Sequence, residues 1–148
     1  MFATIKSLGL FGLNAFPVDV EVDIQKGLPH FDIVGLPDAA VKESRERIRA
    51  ALYSISVTLP PKHIVVNLAP ADVKKSGTMH DLAILVGVLK SMGQLSCSMQ
   101  GKFFIGEVSL SGEVRSVNGV LPMTILARSL GVEELYVPAD NAAEAATI

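Results

Sequence analysis

The stretch Gly27-Leu-Pro-His-Phe-Asp-Ile-Val-Gly-Leu-Pro-Asp-Ala-Ala-Val-Lys-Glu-Ser-Arg-Glu-Arg-Ile-Arg-Ala-Ala-Leu52 decides the fold of this chain. It passes from a turn through a short apolar segment and a second turn directly into a helix. Gly27 and Pro29 suit the first turn, because glycine adopts a positive φ and proline fixes its own φ. Phe31 and Ile33 alternate with polar residues, which predicts a short strand.

A helix of about 15 residues is expected after the second turn. Pro37 disfavours helical geometry in the residue before it, and Asp38 is a good N-cap. Small and apolar residues recur at helical spacing and predict one buried face: Val41, Ser44, Ile48, Ala51 and Leu52. Two i, i+4 pairs of opposite charge are expected to support the helix, Lys42 with Glu46 and Glu43 with Arg47.

Basic residues gather in the middle of the chain. Lys42, Arg45 and Arg49 lie at i, i+3 and i+7 of the predicted helix and form one row, called here the helix stripe. Such a row is either a solvated helix face or a surface for nucleic acid, nucleotide phosphate or an acidic neighbour. Lys74 and Lys75 are expected at the tip of the loop 69–77, so these five residues are the candidates for binding DNA or another anion.

Composition is typical of one compact domain. The chain has 148 residues, 49% of them hydrophobic, and a net charge of −2. Residues 42–106 carry a net charge of +5, whereas residues 1–41 carry −3 and residues 107–148 carry −4. This pattern predicts one basic face or a head-to-tail contact between subunits, and not a strong stand-alone DNA binder. No apolar run is long enough to span a membrane, which favours a cytoplasmic protein without a membrane partner.

The remaining pattern predicts an α/β fold, with a mixed sheet and helices mainly on one face. Strands are expected at 3–10, 14–25, 64–68 and 134–137, with a hairpin at 103–117 that turns at Ser111-Gly112. Helices are expected at 81–92 and 120–130, and a further one begins at Pro138.

The sequence offers no familiar catalytic or cofactor motif. No Gly-x-x-x-x-Gly-Lys-[Ser/Thr] run occurs, so no P-loop is present to hold nucleotide phosphates. His30, His63 and His80 are scattered along the chain, and we predict no metal site and no cofactor within it.

Three blocks resemble the N-terminal domain of the Mg-chelatase-like ATPases, the ComM/YifB family. They are 27–52, 67–77 (Asn-Leu-Ala-Pro-Ala-Asp-Val-Lys-Lys-Ser-Gly) and 104–119, and the resemblance covers almost the whole chain. It implies a Lon-protease-like fold, also described as ribosomal protein S5 domain 2-like. It also implies that 1–148 is a single domain and a fragment of a longer protein. An AAA+ ATPase module that uses ATP and Mg is then expected downstream of the chain end.

The resemblance to Lon proteases implies a lost catalytic pair. Lon proteases use a Ser–Lys dyad; the nucleophile position falls near His80 in this chain, and the lysine position falls near Leu121. Without a nucleophile and a group to activate it, covalent peptide hydrolysis has no route. We expect His80 and Asp81 to cap or polarise the N-terminus of the helix at 81–92 instead.

Taken together, the resemblance implies a non-proteolytic platform for assembly and DNA contact in a hexameric branch-migration motor, in a family associated with competence. The partners would be further copies of the chain in a ring, and DNA, which the isolated domain would bind weakly. The alternative is a protein-binding regulatory module of an AAA+ remodelling or chelatase-type ATPase. An active Lon-type Ser–Lys peptidase is the third and least favoured interpretation.

Overall fold

Two long antiparallel strands organise the centre of the molecule. In the computed structural model, which describes all residues 1–148, β1 (Phe2–Phe11) pairs along its whole length with β2 (Asn14–Gln25). The alternation predicted for β2 is confirmed. Its valines and Ile24 are buried on one side, whereas Asp19, Glu21 and Asp23 lie half-buried on the other.

Six strands form one mixed sheet around this pair. The outer strands are β3 (His30–Val34), β4 (His63–Ala69), β5 (Lys102–Phe104) and β8 (Glu134–Tyr136), in the order β3-β4-β2-β1-β5-β8. The β1–β2 and β2–β4 pairs are antiparallel, and the other three pairs are parallel. A separate two-stranded sheet is formed by β6 (Glu107–Val108) and β7 (Val114–Arg115).

Helices cover the apolar face of the sheet. They are α1 (Ala39–Lys42), α2 (Ser44–Ser54), α3 (Asp81–Ser91), α4 (Val120–Ser129) and α5 (Ala142–Ala145), with a 3₁₀ turn at Ala139–Asn141. The nearly all-apolar α3 packs across β1 and β2, and α2 lies beside it. The predicted α/β class, with a mixed sheet and helices mainly on one face, is therefore confirmed. None of these helices has the length and apolar character needed to cross a membrane.

The helix predicted after Asp38 is present but divided. Asp38 caps it as expected, since its Oδ1 accepts the N–H of Val41 at 2.8 Å. The helix is interrupted at Glu43, which separates α1 from α2. The predicted buried face of Val41, Ser44, Ile48, Ala51 and Leu52 is confirmed.

The hairpin predicted at 103–117 is present only in part, because its first arm is not one continuous strand. The chain leaves the main sheet after β5 and pairs again only at β6, because Gly106 bonds to the start of α3 instead of to a strand. Its N–H donates to the carbonyl of Met79 at 2.9 Å, and its carbonyl accepts the N–H of Leu82 at 3.1 Å. The hairpin at 103–117 thus survives only as the short β6–β7 pair.

Gly35 marks the closest approach between two of the family-like blocks. It has a φ of +101°, and a Cβ at this position would lie 2.3 Å from the carbonyl oxygen of Leu68 in β4. No real side chain tolerates that distance, and backbone cannot move aside as a flexible side chain can. The turn after β3 therefore requires glycine for space as well as for conformation.

We expect Gly35→Ala to lower the free energy of unfolding by about 2–5 kcal/mol, from the left-handed backbone together with the overlap. Gly12→Ala is the matched control, since Gly12 also has a positive φ, +61°, but a Cβ added there would meet nothing within 4 Å. The control should lose only about 1–2 kcal/mol. Chemical denaturation of both variants provides the measurement, and equal losses would contradict the packing argument.

Candidate functional site

The helix stripe is accessible to solvent. Lys42 and Arg49 are exposed and form no ion pair. The Arg45 side chain is 42% exposed; its Nη1 lies 3.5 Å from the Phe31 carbonyl, and its Nε lies 3.9 Å from a Glu46 carboxylate oxygen. Contacts this long between partly solvated groups contribute little free energy, so all three cations remain available to an anion.

The two i, i+4 ion pairs predicted along this helix are wrong. Arg47 turns away from Glu43 and forms a two-pronged ion pair with Asp81 of α3, with Nε–Oδ2 at 2.6 Å and Nη2–Oδ1 at 3.0 Å. Its Nη2 also donates to the Ala40 carbonyl at 2.9 Å. Arg47 borders the buried face of α2, so its guanidinium group lies within reach of the buried Asp81 carboxylate. Two-pronged pairs of this kind between arginine and a carboxylate are among the stronger hydrogen-bonded contacts.

Asp81 joins three elements. It forms no cap hydrogen bond to its own helix, but it lies in the first turn of α3, the position that we expected to suit the helix dipole. The Asp81 carboxylate receives two bonds from Arg47 of α2, one on each oxygen. Its Oδ2 also accepts the N–H of Val108 in β6 at 3.1 Å. The carboxylate is 1% exposed, and this burial raises the pKa of Asp81, opposed by the hydrogen bond from Arg47. The same hydrogen bond raises the pKa of Arg47. The pair is thus a structural link between α2, α3 and the β6–β7 hairpin.

Lys75 is not at an exposed loop tip, and its assignment as an anion-binding residue is wrong. Its side chain is 0% exposed, and Nζ donates to the carbonyls of Gly35, at 2.9 Å, and Pro70. Desolvation lowers the pKa of Lys75, and the nearby Asp72 raises it. Its neighbour Lys74 is exposed and stays a candidate. The candidate set is therefore the helix stripe and Lys74.

Backbone contacts fasten the Lys75 loop to the start of α1. The Lys75 N–H donates to the Leu36 carbonyl at 3.0 Å, and the Asp38 N–H donates to the Lys75 carbonyl at 2.9 Å. The second carboxylate oxygen of Asp38 accepts the N–H of Gly77 at 3.3 Å. These hydrogen bonds join the blocks 27–52 and 67–77, and the set of contacts is called here the polar frame.

The two positions that correspond to a Lon dyad hold no reactive pair. His80 is 2% exposed, and its Nδ1 lies 3.2 Å from the hydroxyl oxygen of Ser7. Its Nε2 has no hydrogen-bond partner, and its side chain does not cap α3. Leu121 lies on α4 with a partly exposed side chain, and its N–H donates to Glu144 at 3.3 Å. Because Ser7 is also 0% exposed, no peptide carbonyl can reach its oxygen in this conformation.

His80 should make the stability of the domain depend on pH. Burial lowers its pKa to about 4, with a smaller contribution from the charge of Lys75. In the unfolded chain the pKa of this histidine is its ordinary value of about 6.5. Between pH 4 and pH 6.5 the unfolded state therefore binds more protons than the folded state does. The free energy of unfolding should therefore fall as pH is lowered through this window, by up to about 3 kcal/mol.

His80→Gln should remove this part of the pH dependence, because glutamine can still contact Ser7 but does not titrate. The carboxylates titrate in both proteins, so their contribution cancels in the comparison. Denaturant unfolding of the wild type and His80→Gln from pH 4 to pH 7 measures the difference. If the wild type and His80→Gln show the same slope, His80 is not buried in its neutral form.

Comparison with known proteins supports the resemblance of the three blocks. Residues 20–141 match the family model described as subunit ChlI of Mg-chelatase. The chain is 41% identical over 147 residues to competence protein ComM of Haemophilus influenzae and 38% identical over 147 residues to YifB of Salmonella typhimurium. Each match covers 99% of this chain but 29% of the relative, so the chain spans less than a third of the length of these proteins. The chain belongs to the Mg-chelatase ChlI family, alongside the ComM and YifB proteins.

Proposed function

We propose that this chain is the non-proteolytic, Lon-like N-terminal domain of a longer AAA+ ATPase of the ComM/YifB type. In this proposal it serves as the platform on which a hexameric ring assembles and through which a branch-migration motor contacts DNA. The ATPase module, with its ATP and Mg, would lie in the part of the protein outside this chain, which itself contains no P-loop sequence. Family membership is the observation that carries the proposal, and one relative bears the name competence protein.

The surface charges of the helix stripe support the DNA part of the proposal. Of the four basic residues at 42–49, only Arg47 is held by a buried carboxylate, and the other three face solvent. With Lys74 they supply four cations that could meet phosphates. A duplex complex using three or four of them should show a slope of log K against log salt of about −2.7 to −3.6.

One copy of the domain should bind DNA weakly. Its net charge is −2, and the acidic Glu43 and Glu46 are exposed beside the cations of the helix stripe in the sequence. In a ring the contacts of several copies would add, provided that the geometry lets them reach one DNA molecule together. Assembly and DNA contact are therefore linked in this proposal.

The test is a charge reversal of the helix stripe in the complete protein. Arg45→Glu with Arg49→Glu should weaken DNA binding and make the salt slope less steep by about 1.8, since each lost phosphate contact removes about 0.9. Fluorescence anisotropy with labelled duplex at several salt concentrations gives both quantities. The matched control is Arg115→Glu with Arg128→Glu, which makes the same change of charge at exposed positions elsewhere.

The oligomeric state of the same variants separates the alternatives. If the ring forms and DNA binding is unchanged, the stripe is a solvated helix face and the DNA contact lies elsewhere. If sedimentation shows that the ring no longer forms, the stripe is a subunit contact, which favours a protein-binding role for this surface.

A further inference from the structure

Folding brings together two histidines and a carboxylate that are distant in sequence. His30 and His63 occupy directly paired positions of the parallel strands β3 and β4, and Asp32 follows two residues after His30 on the same side of the sheet. His30 Nδ1 lies 2.8 Å from one carboxylate oxygen of Asp32, and His63 Nε2 lies 2.8 Å from the other. The two imidazole rings are arranged edge to face, and their centroids are 6.0 Å apart. We predicted no metal site because the histidines are scattered along the chain. The pairing of β3 with β4 brings two of them together despite this separation in sequence.

The size of this cluster matches a zinc ion. Its three ligand atoms all lie within 4.8 Å of one another. Ligand atoms at about 2.0–2.2 Å from a tetrahedral zinc ion are separated by about 3.3–3.6 Å, so small rotations of the side chains suffice to surround a metal. Imidazole nitrogen and carboxylate oxygen are both zinc ligands in proteins.

The site is also accessible to solvent. The side chains are 61%, 38% and 33% exposed for His30, Asp32 and His63, so an ion can enter from solvent without unfolding the sheet. In the metal-free protein each histidine nitrogen donates its N–H to an Asp32 carboxylate oxygen, so zinc would take the place of these two protons and bind the same three atoms.

We propose that His30, Asp32 and His63 form a zinc-binding site on the open face of the sheet, with solvent as the fourth ligand. Bound zinc would fasten the edge strand β3 to its neighbour β4, at the start of the stretch that leads into the helix stripe. Magnesium should not compete, because it prefers octahedral oxygen ligands and binds imidazole poorly.

Calorimetric titration of the chain with zinc at neutral pH tests the proposal. All proteins carry Cys97→Ser, which removes the exposed thiol as an accidental ligand. We expect one zinc ion per chain with a dissociation constant on the order of micromolar, a higher melting temperature with zinc, and no heat with magnesium. Cobalt should give the visible absorption typical of a tetrahedral site.

His63→Gln and Asp32→Asn should each weaken zinc binding at least about tenfold. Mutating a residue that only hydrogen-bonds to a metal ligand already lowers metal affinity about 10–100-fold, and these two variants change ligands themselves. Asp19→Asn, on the same face of the sheet, and His80→Gln, in the interior, are the controls and should bind zinc as the parent does. Circular dichroism without metal verifies that every variant is folded. The proposal is overturned if the parent shows no saturable zinc binding, or if both ligand variants bind zinc as tightly as the parent.

Discussion

The fold of this domain depends on one buried ammonium group. The Lys75 side chain is 0% exposed, and its Nζ bonds to the carbonyl of Pro70 in its own loop and to the carbonyl of Gly35 in the turn after β3. A carbonyl shielded from water costs free energy when it has no donor, and the ammonium group supplies one to each of these two. Lysine offers three N–H donors on a long flexible stem, so a single side chain satisfies both loops at once. The cost of burying its charge is offset by these contacts.

The polar frame continues from Lys75 to the start of α3. Asp38 caps α1 with one carboxylate oxygen and holds Gly77 with the other. A few residues further on, Asp81 binds Arg47 and Val108, and Gly106 bonds to the backbone on both sides of Asp81. The blocks 27–52 and 67–77 are therefore joined directly, and Asp81, which lies outside all three blocks, links Arg47 of the first to Val108 of block 104–119. Several of their polar residues position backbone, and the basic residues of blocks 27–52 and 67–77 that stay on the surface without a buried partner are the helix stripe and Lys74.

Much of the architecture could be predicted because it follows from local pattern. Alternation identified β2 and helical spacing identified the buried face of α2, since both depend only on which side of an element meets the core. The Asp38 cap was predictable for the same reason, as it involves residues three positions apart. The break at Gly106 was not, because it arises from hydrogen bonds with Met79 and Leu82, which come from another element.

The errors at the candidate site share this cause. Lys74 and Lys75 are adjacent and chemically identical, and what distinguishes Lys75 includes the carbonyl of Gly35, which is distant in sequence. Arg47 borders the apolar face of α2, and Asp81 is the one acid in an apolar helix. Those two signals together could have suggested the pair. The convergence of His30 and His63 depends on strand order, which the alternation within each strand does not specify.

Lys75 is thus a structural residue, whereas Lys74 belongs to the surface. Denaturant unfolding of Lys75→Met and Lys74→Met tests this difference most directly, because methionine keeps much of the length of lysine without its charge. We expect Lys75→Met to lower the free energy of unfolding by about 1–3 kcal/mol, since the Gly35 and Pro70 carbonyls lose the donor that Nζ supplies. Lys74→Met should change it by no more than about 0.5 kcal/mol. Equal stability of Lys75→Met and the wild type would contradict the structural role of Lys75.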